Sequence, residues 1–153
     1  MKKISGLLLI IVCATSCIPS YNVIPKSHNY LQNLNFTIDK VSETTTITHG
    51  TGILFPSPGY KFVMVYVTLK NNLDYSQEVD FDNFILINPR TQTRYRVERV
   101  MRPTMVGIDA KFDPSVREGD VIRRRLVFLY PENEKPQLLL VMSKIIEIEY
   151  RKI

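Results

Sequence analysis

Cysteine is almost missing from this 153-residue chain: Cys13 and Cys17 are the two present, and both fall within the first seventeen residues. A disulfide framework over the rest is excluded, so any core that forms there must hold the fold alone. Histidine is as scarce. His28 and His49 are the two in the chain, and neither has a cysteine, a histidine or a carboxylate at metal-ligand spacing. His49, directly before Gly50, reads as a turn histidine. No Gly-x-Ser-x-Gly occurs, and a serine nucleophile would have to rely on His49 alone as its base. This inventory points away from an enzyme and implies no cofactor and no metal. Long apolar runs are missing too. Ile4 to Val12, interrupted by Ser5 and Gly6, would reach about half of a hydrocarbon core roughly 30 Å thick, too short to span it. There is no sustained 3.6-residue period, no internal repeat and no low-complexity stretch.

What the first residues do contain is an address. Lys2 and Lys3 precede the short apolar run, and the small residues Ala14, Thr15 and Ser16 follow it, the pattern of a secretory signal over residues 1–16. The ending "ATSC" resembles the lipobox of bacterial lipoproteins, with Ala14 standing where leucine is usual. The resemblance implies that the Cys17 thiol takes a diacylglycerol, that cleavage leaves Cys17 as the first mature residue, and that its amine is acylated as well. Small side chains ahead of the cysteine let the peptidase seat the scissile bond. Bulky Val12 makes Cys13 a poorer candidate. The alternative is an ordinary signal peptide cleaved near Ser16 or Cys17, which leaves the thiol unmodified. Two acyl chains anchor a protein stably, whereas one, at about 0.8 kcal/mol per buried methylene, holds it reversibly. Ile18 stands where an aspartate retains many lipoproteins in the inner membrane of enteric-type bacteria, so the resemblance implies export to the outer membrane.

Removal of residues 1–16 lowers the formal charge from +5 to +3, ordinary for solubility and no footprint of a nucleic-acid binder. Residues 17–33 mix Pro, Ser and Asn with scattered apolar residues and read as a lipidated N-terminus and flexible tether. Residues 34–153 read as a single domain of strands. "LNFTIDKVS" alternates Leu34, Phe36 and Ile38 against polar neighbours. "KFVMVYVTLKN" carries Val63, Val65, Val67 and Leu69 on one face and Phe62, Met64 and Tyr66 on the other, as expected of a central strand covered on both sides. "VIRRRLVFLY" puts Ile122, Leu126, Phe128 and Tyr130 in phase, with Arg124 the exception. Turn chemistry at Pro56 to Gly59, Asn71-Asn72, Asn88-Pro89, Glu118-Gly119 and Pro131 to Pro136 separates short strands. That spacing predicts an all-β, antiparallel sandwich or barrel, with a long loop from Met101 to Glu118.

Residues 34 to 150 also resemble a widespread family of secreted bacterial domains of unknown function, related to the immunoprotective extracellular antigen of mycobacteria. The resemblance rests on Phe62, Val65, Val67 and Asn71 in the central strand, on Phe84 to Tyr95, and on Gly119, Phe128 and Pro131. It implies an immunoglobulin-like β-sandwich and carries no catalytic residues.

Two clusters invite chemistry. Asp80, Asp82 and Asn83 could offer oxygens to calcium, but the further ligands and turn glycine of an EF-hand-like loop are missing, and strand-end turn-making explains them. Arg94, Arg96, Arg123 and Arg125 are candidates for a cationic binding face, joined by Arg99, Arg102, Arg117 and Arg124. Glu98, Glu118, Asp120, Glu147 and Glu149 offer cross-strand pairing as the alternative. The expectation is a lipid-anchored, non-catalytic interaction module of the cell envelope. It would be held to the membrane through Cys17, bind an envelope protein or polymer, and take no nucleic acid. A structural or accessory subunit of an envelope assembly is the alternative.

Overall fold

The computed structural model describes residues 19–103 and 114–151, so the expected signal peptide and the candidate lipid site Cys17 lie outside the described residues. Among the described residues the strands are, in order, β1 (Ser20–Asn22), β2 (Ser27–Leu31), β3 (Leu34–Thr44), β4 (Ile47–His49), β5 (Gly52–Leu54), β6 (Tyr60–Asn71), β7 (Gln77–Glu78), β8 (Phe84–Ile87), β9 (Arg94–Met101), β10 (Ser115–Val116), β11 (Val121–Pro131), β12 (Leu138–Val141) and β13 (Lys144–Glu147). A single 3-10 turn, Phe81–Asn83, precedes β8.

Burial on both faces decides where β6 goes. Val63, Val65, Val67 and Leu69 are fully buried on one face, while Phe62 and Met64 are buried on the other. Such a strand belongs in the middle of a sheet, and β6 pairs antiparallel with β3 on one side and β11 on the other. Its second face is covered by the β4–β5 hairpin, which lays Ile47 and Leu54 against Phe62, Met64, Met101 and Val127.

Bulges turn this sheet into two layers. In β9, Val97–Met101 pair with β11 and Arg94–Arg96 pair with β8, and Glu98 is the extra residue where the register shifts between Val127 and Phe128. A bulge bends and twists its strand; here it carries the sheet from β11 round to β8, β12 and β13. A second bulge at Asp39 keeps Ile38 and Val41 both on the inner side of β3. The resulting order is β1-β3-β6-β11-β9-β8-β12-β13, with β2 also beside β3. Phe36, Phe84, Leu86, Leu126, Phe128 and Leu139 fill the space between the layers. The expected all-β antiparallel sandwich is what the chain forms.

The expected tether is corrected. Within residues 17–33, β1 pairs with Lys40–Ser42 and β2 pairs with Leu34–Thr37 across the two-residue turn Gln32–Asn33, where Asn33 takes a φ of 59°. The next stretch seals the sandwich: Val23 bridges Tyr150, Ile24 N–H donates to Glu149 O at 2.8 Å, and Arg151 N–H donates to Asn22 O at 2.9 Å. The domain therefore begins by residue 20 rather than 34. These strands hide in the sequence because β1 has no fully buried side chain and β2 only that of Tyr30, too few to show a period of two. The long loop also narrows: Met101 closes β9, Ser115–Val116 form β10 on β7, and residues 104–113 lie outside the described residues.

The end of the sandwich where β1 starts carries a cluster of tyrosines around a buried ion pair. Lys61 Nζ lies 2.7 Å from Glu43 Oε2, with the two side chains 11% and 8% exposed. Tyr95 meets Tyr130 edge-on at 4.8 Å, and Tyr21 meets Tyr150 at 5.4 Å. Lys135 Nζ sits 4.4 Å from the Tyr21 ring centre and 3.7 Å from that of Tyr150, whose hydroxyl donates to Pro136 O. Burial, and then the charges of Tyr95 and Glu43, push the Tyr130 hydroxyl up to about 12. Burial, followed by Glu43, raises Tyr150 further. Tyr130 and Tyr150 therefore stay protonated at physiological pH.

Glu43→Gln removes the counter-charge of Lys61 and leaves a buried ammonium behind. The expected cost is about 3–5 kcal/mol in urea unfolding; a loss under about 1 kcal/mol would mean that water already solvates the pair.

Candidate functional site

The opposite end of the sandwich holds a groove of about 430 Å³ between β2, the segment from Glu78 to Asn83 and the β12–β13 turn. Its wall begins with turn chemistry. Asp80 Oδ1 accepts the Asp82 N–H at 3.0 Å and its Oδ2 accepts from Asn83 Nδ2 at 3.2 Å, which caps the 3-10 turn. The Asp80 carboxylate is thereby engaged with its own turn, the role expected for this acidic cluster. Tyr30 then clamps the turn to β2. Its hydroxyl donates to Asp80 O and accepts from Asp80 N–H, both at 3.1 Å, and its ring stacks on Phe84 at 5.6 Å. Burial raises the Tyr30 hydroxyl above its usual range against the opposing pull of its hydrogen bonds, so it remains a neutral donor.

Asn71 holds the neighbouring segment. Fully buried at the end of β6, it donates through Nδ2 to Tyr75 O, Val116 O and Arg117 O at 2.7, 3.0 and 3.2 Å, and its Oδ1 accepts Leu73 N–H. β10 is thus fixed against β6, and Pro114, directly before it, forms part of the groove wall. The lip is apolar, with Leu31 39% and Met142 44% exposed, and Met142 takes a φ of 57° in its two-residue turn. Glu78, exposed, adds a carboxylate to the lining. The apolar lip, the buried Tyr30, Val79 and Phe81 and an exposed carboxylate together suit binding through apolar contact with a few accepted hydrogen bonds. None of the described lining side chains sets a nucleophile beside a base.

A second, shallower cleft of about 680 Å³ lies along the side, between the facing edges of β2 and β13 above the Val23–Tyr150 seam. His28 lines it, 5.3 Å from Phe36, and burial followed by Lys26 lowers its pKa. Lys26 pairs there with Glu149 at 3.1 Å.

The sandwich does not gather the four arginines into one face. Arg94 and Arg96 are exposed near the β1 end, whereas Arg123 and Arg125 sit towards the groove end, several ladder positions away on β11. Arg125 lies 5.1 Å over the Tyr66 ring and donates to Pro103 O, and Lys40 approaches the same ring at 5.6 Å. It is a strut on the sheet surface. Arg124, in the inner phase of β11, is buried and donates to Arg123 O. Ion pairs among the described residues include Lys26 with Glu149, Lys61 with Glu43 and Arg90 with Glu134, and these do not involve Arg94, Arg96, Arg123 or Arg125. His49 sits at the end of β4, 3.5 Å from an Arg99 nitrogen. Sequence reasoning missed Tyr30, Leu31 and Met142, the first two because they were assigned to the tether. The short hairpin "NYLQNLNF", apolar on either side of a Gln-Asn pair, was the available signal.

Residues 29–150 match the family described as Domain of unknown function (DUF4352). No curated protein matches the chain. A crystal structure of a conserved hypothetical protein from Bacillus anthracis is similar at a TM-score of 0.64 and 15% identity, covering 88% of this chain and all of that one. An uncharacterised β-sandwich protein from Clostridium difficile 630 follows at 0.58 and 10%, covering 85% and 92%. A functionally unknown protein from Listeria monocytogenes EGD-e gives 0.50 and 13%, covering 74% and 64%. At these identities the likeness is one of fold.

Tyr30→Phe leaves the Asp80 amide and carbonyl without their partner. Stability is expected to fall by about 1–2 kcal/mol in urea unfolding, with faster hydrogen exchange at the Asp80 amide; unchanged exchange there would show that the groove wall does not depend on this hydroxyl.

Proposed function

We propose that this chain, which belongs to the DUF4352 family, is an exported lipoprotein that works as a non-catalytic binding module of the cell envelope. Cys17 carries the lipid, the outer membrane is the destination, and the distal groove takes an envelope protein or polymer rather than nucleic acid. In this reading the relationship to the mycobacterial immunoprotective antigen is one of shared sandwich and strand rhythm. The observation that carries the proposal is polarity. The first described strand starts three residues after Cys17 at one end of the sandwich, and the apolar-lipped groove opens at the other. A module tethered at one pole offers its opposite pole outward, and rigid scaffolds commonly bind through the loops at such an end.

The open edges of β2 and β13 favour a second reading, an accessory subunit whose neighbour covers those edges within an assembly.

Mass spectrometry of the mature N-terminus is expected to find acyl chains on Cys17, and Cys17→Ala is expected to move the protein out of the membrane fraction. Crosslinking in intact envelopes is expected to give an adduct that the Leu31→Asp, Met142→Asp variant loses while remaining folded and anchored. An unmodified leading residue removes the anchor. An adduct indifferent to the groove variant, or a large assembly that persists after solubilisation, favours the accessory subunit.

A further inference from the structure

The position of β1 carries a consequence for the bilayer itself, and it rests on the lipid-anchor reading above. Pro19 O accepts the Glu43 N–H, so the chain enters the sheet level with the last pairs of β3 and β6. From Ser20 back to Cys17 is three residues, which span at most about 10 Å when fully extended. A lipid on Cys17 therefore starts within that distance of Ser20, which pairs with Ser42 beside the end of β3, on the side of the sandwich whose rim continues through Thr44, Tyr60 and Pro131. A flexible tether of 17 residues would let the domain drift freely; three residues hold its end against the headgroups.

That end has the side chains a bilayer surface accepts. Phe55, 71% exposed, follows β5 beside a shallow depression shared with Phe62 and Leu129, and Tyr60 is exposed on the rim. Large exposed aromatics at the edge of a sheet are costly in water and favoured at the interface between headgroups and acyl chains. Arg94 and Arg96 continue down β9 from Val97, which faces Phe128, towards the same rim, and both are exposed. Guanidinium groups bind phosphate oxygens in pairs of hydrogen bonds. Glu98 and Glu132 lie at this end too, so the contact does not depend on a uniform positive field. Tethering by three residues makes the local lipid concentration high, and contacts too weak to hold a free domain become sufficient.

We propose that this end of the sandwich rests on the bilayer, with Phe55 and Tyr60 seated at headgroup depth and Arg94 and Arg96 against lipid phosphates. The distal groove then faces away from the membrane.

The chain has no tryptophan, so a single introduced indole reports position cleanly. The full lipid-anchored protein is placed in vesicles of phosphatidylethanolamine and phosphatidylglycerol with or without brominated acyl chains, as Phe55→Trp and, separately, as Tyr75→Trp, the latter 58% exposed at the groove end. Bromination is expected to remove most of the emission of the first variant and to leave the second unchanged. Adding Arg94→Glu and Arg96→Glu to the first is expected to weaken that quenching; unaltered quenching takes the arginines out of the contact. Equal emission from both tryptophans with the protein on the vesicles overturns the orientation and leaves the anchor standing. Protein that never associates with vesicles removes the anchor and this inference with it.

Discussion

Pairing of the N-terminal segment with the last strand residues is the constraint on which the rest depends. Two backbone hydrogen bonds, from Ile24 to Glu149 and from Arg151 to Asn22, together with the Val23–Tyr150 bridge, join the first and last described segments of the sheet. They close the sandwich along one side and leave the β2 and β13 edges apart above the closure. Unpaired edges are a liability for association, so this closure shields backbone and fixes the direction in which the N-terminal segment leaves the domain.

Each end of the sandwich is held by a different polar device. Near β1 it is the Glu43–Lys61 pair inside a shell of Tyr21, Tyr95, Tyr130 and Tyr150, where apolar ring surface lowers the local dielectric and makes a satisfied pair rigid and an unsatisfied one costly. At the groove end it is neutral: the Asn71 amide knits β6 to β10, and the Tyr30 hydroxyl pins the Asp80 backbone. A buried ion pair at the β1 end and buried neutral groups at the groove end give one scaffold two unlike poles without a disulfide among the described residues.

Much of this is legible in the residues, and the exceptions have physical causes. The double-faced run from Phe62 to Leu69 reads as a central strand because every position in it but Thr68 is apolar or aromatic, and burial on both sides is what the sheet then shows. Ile122, Leu126, Phe128 and Tyr130 likewise keep their phase, with Arg124 buried among them. By contrast β1 and β2 are edge strands whose other face meets solvent, so their pairing energy lies in backbone hydrogen bonds that leave little trace in side-chain pattern. The bulges at Asp39 and Glu98, which decide where the layers turn, are likewise invisible to a strict period of two. Whether the arginines meet depends on which part of β9 pairs with β11, and because Arg94 and Arg96 pair with β8 instead, they part from Arg123 and Arg125 on β11.

Amide hydrogen exchange at Ile24 and Arg151 tests the closure most directly, since each amide is a donor in the seam. Protection within about an order of magnitude of that at other edge-strand amides is expected at both positions, because opening the seam would expose Val23 and Tyr150 together. Exchange at the rate of an unstructured peptide, with Val65 and Leu126 still protected, would mean that the N-terminal segment hangs free, and the closure of the sandwich would go with it.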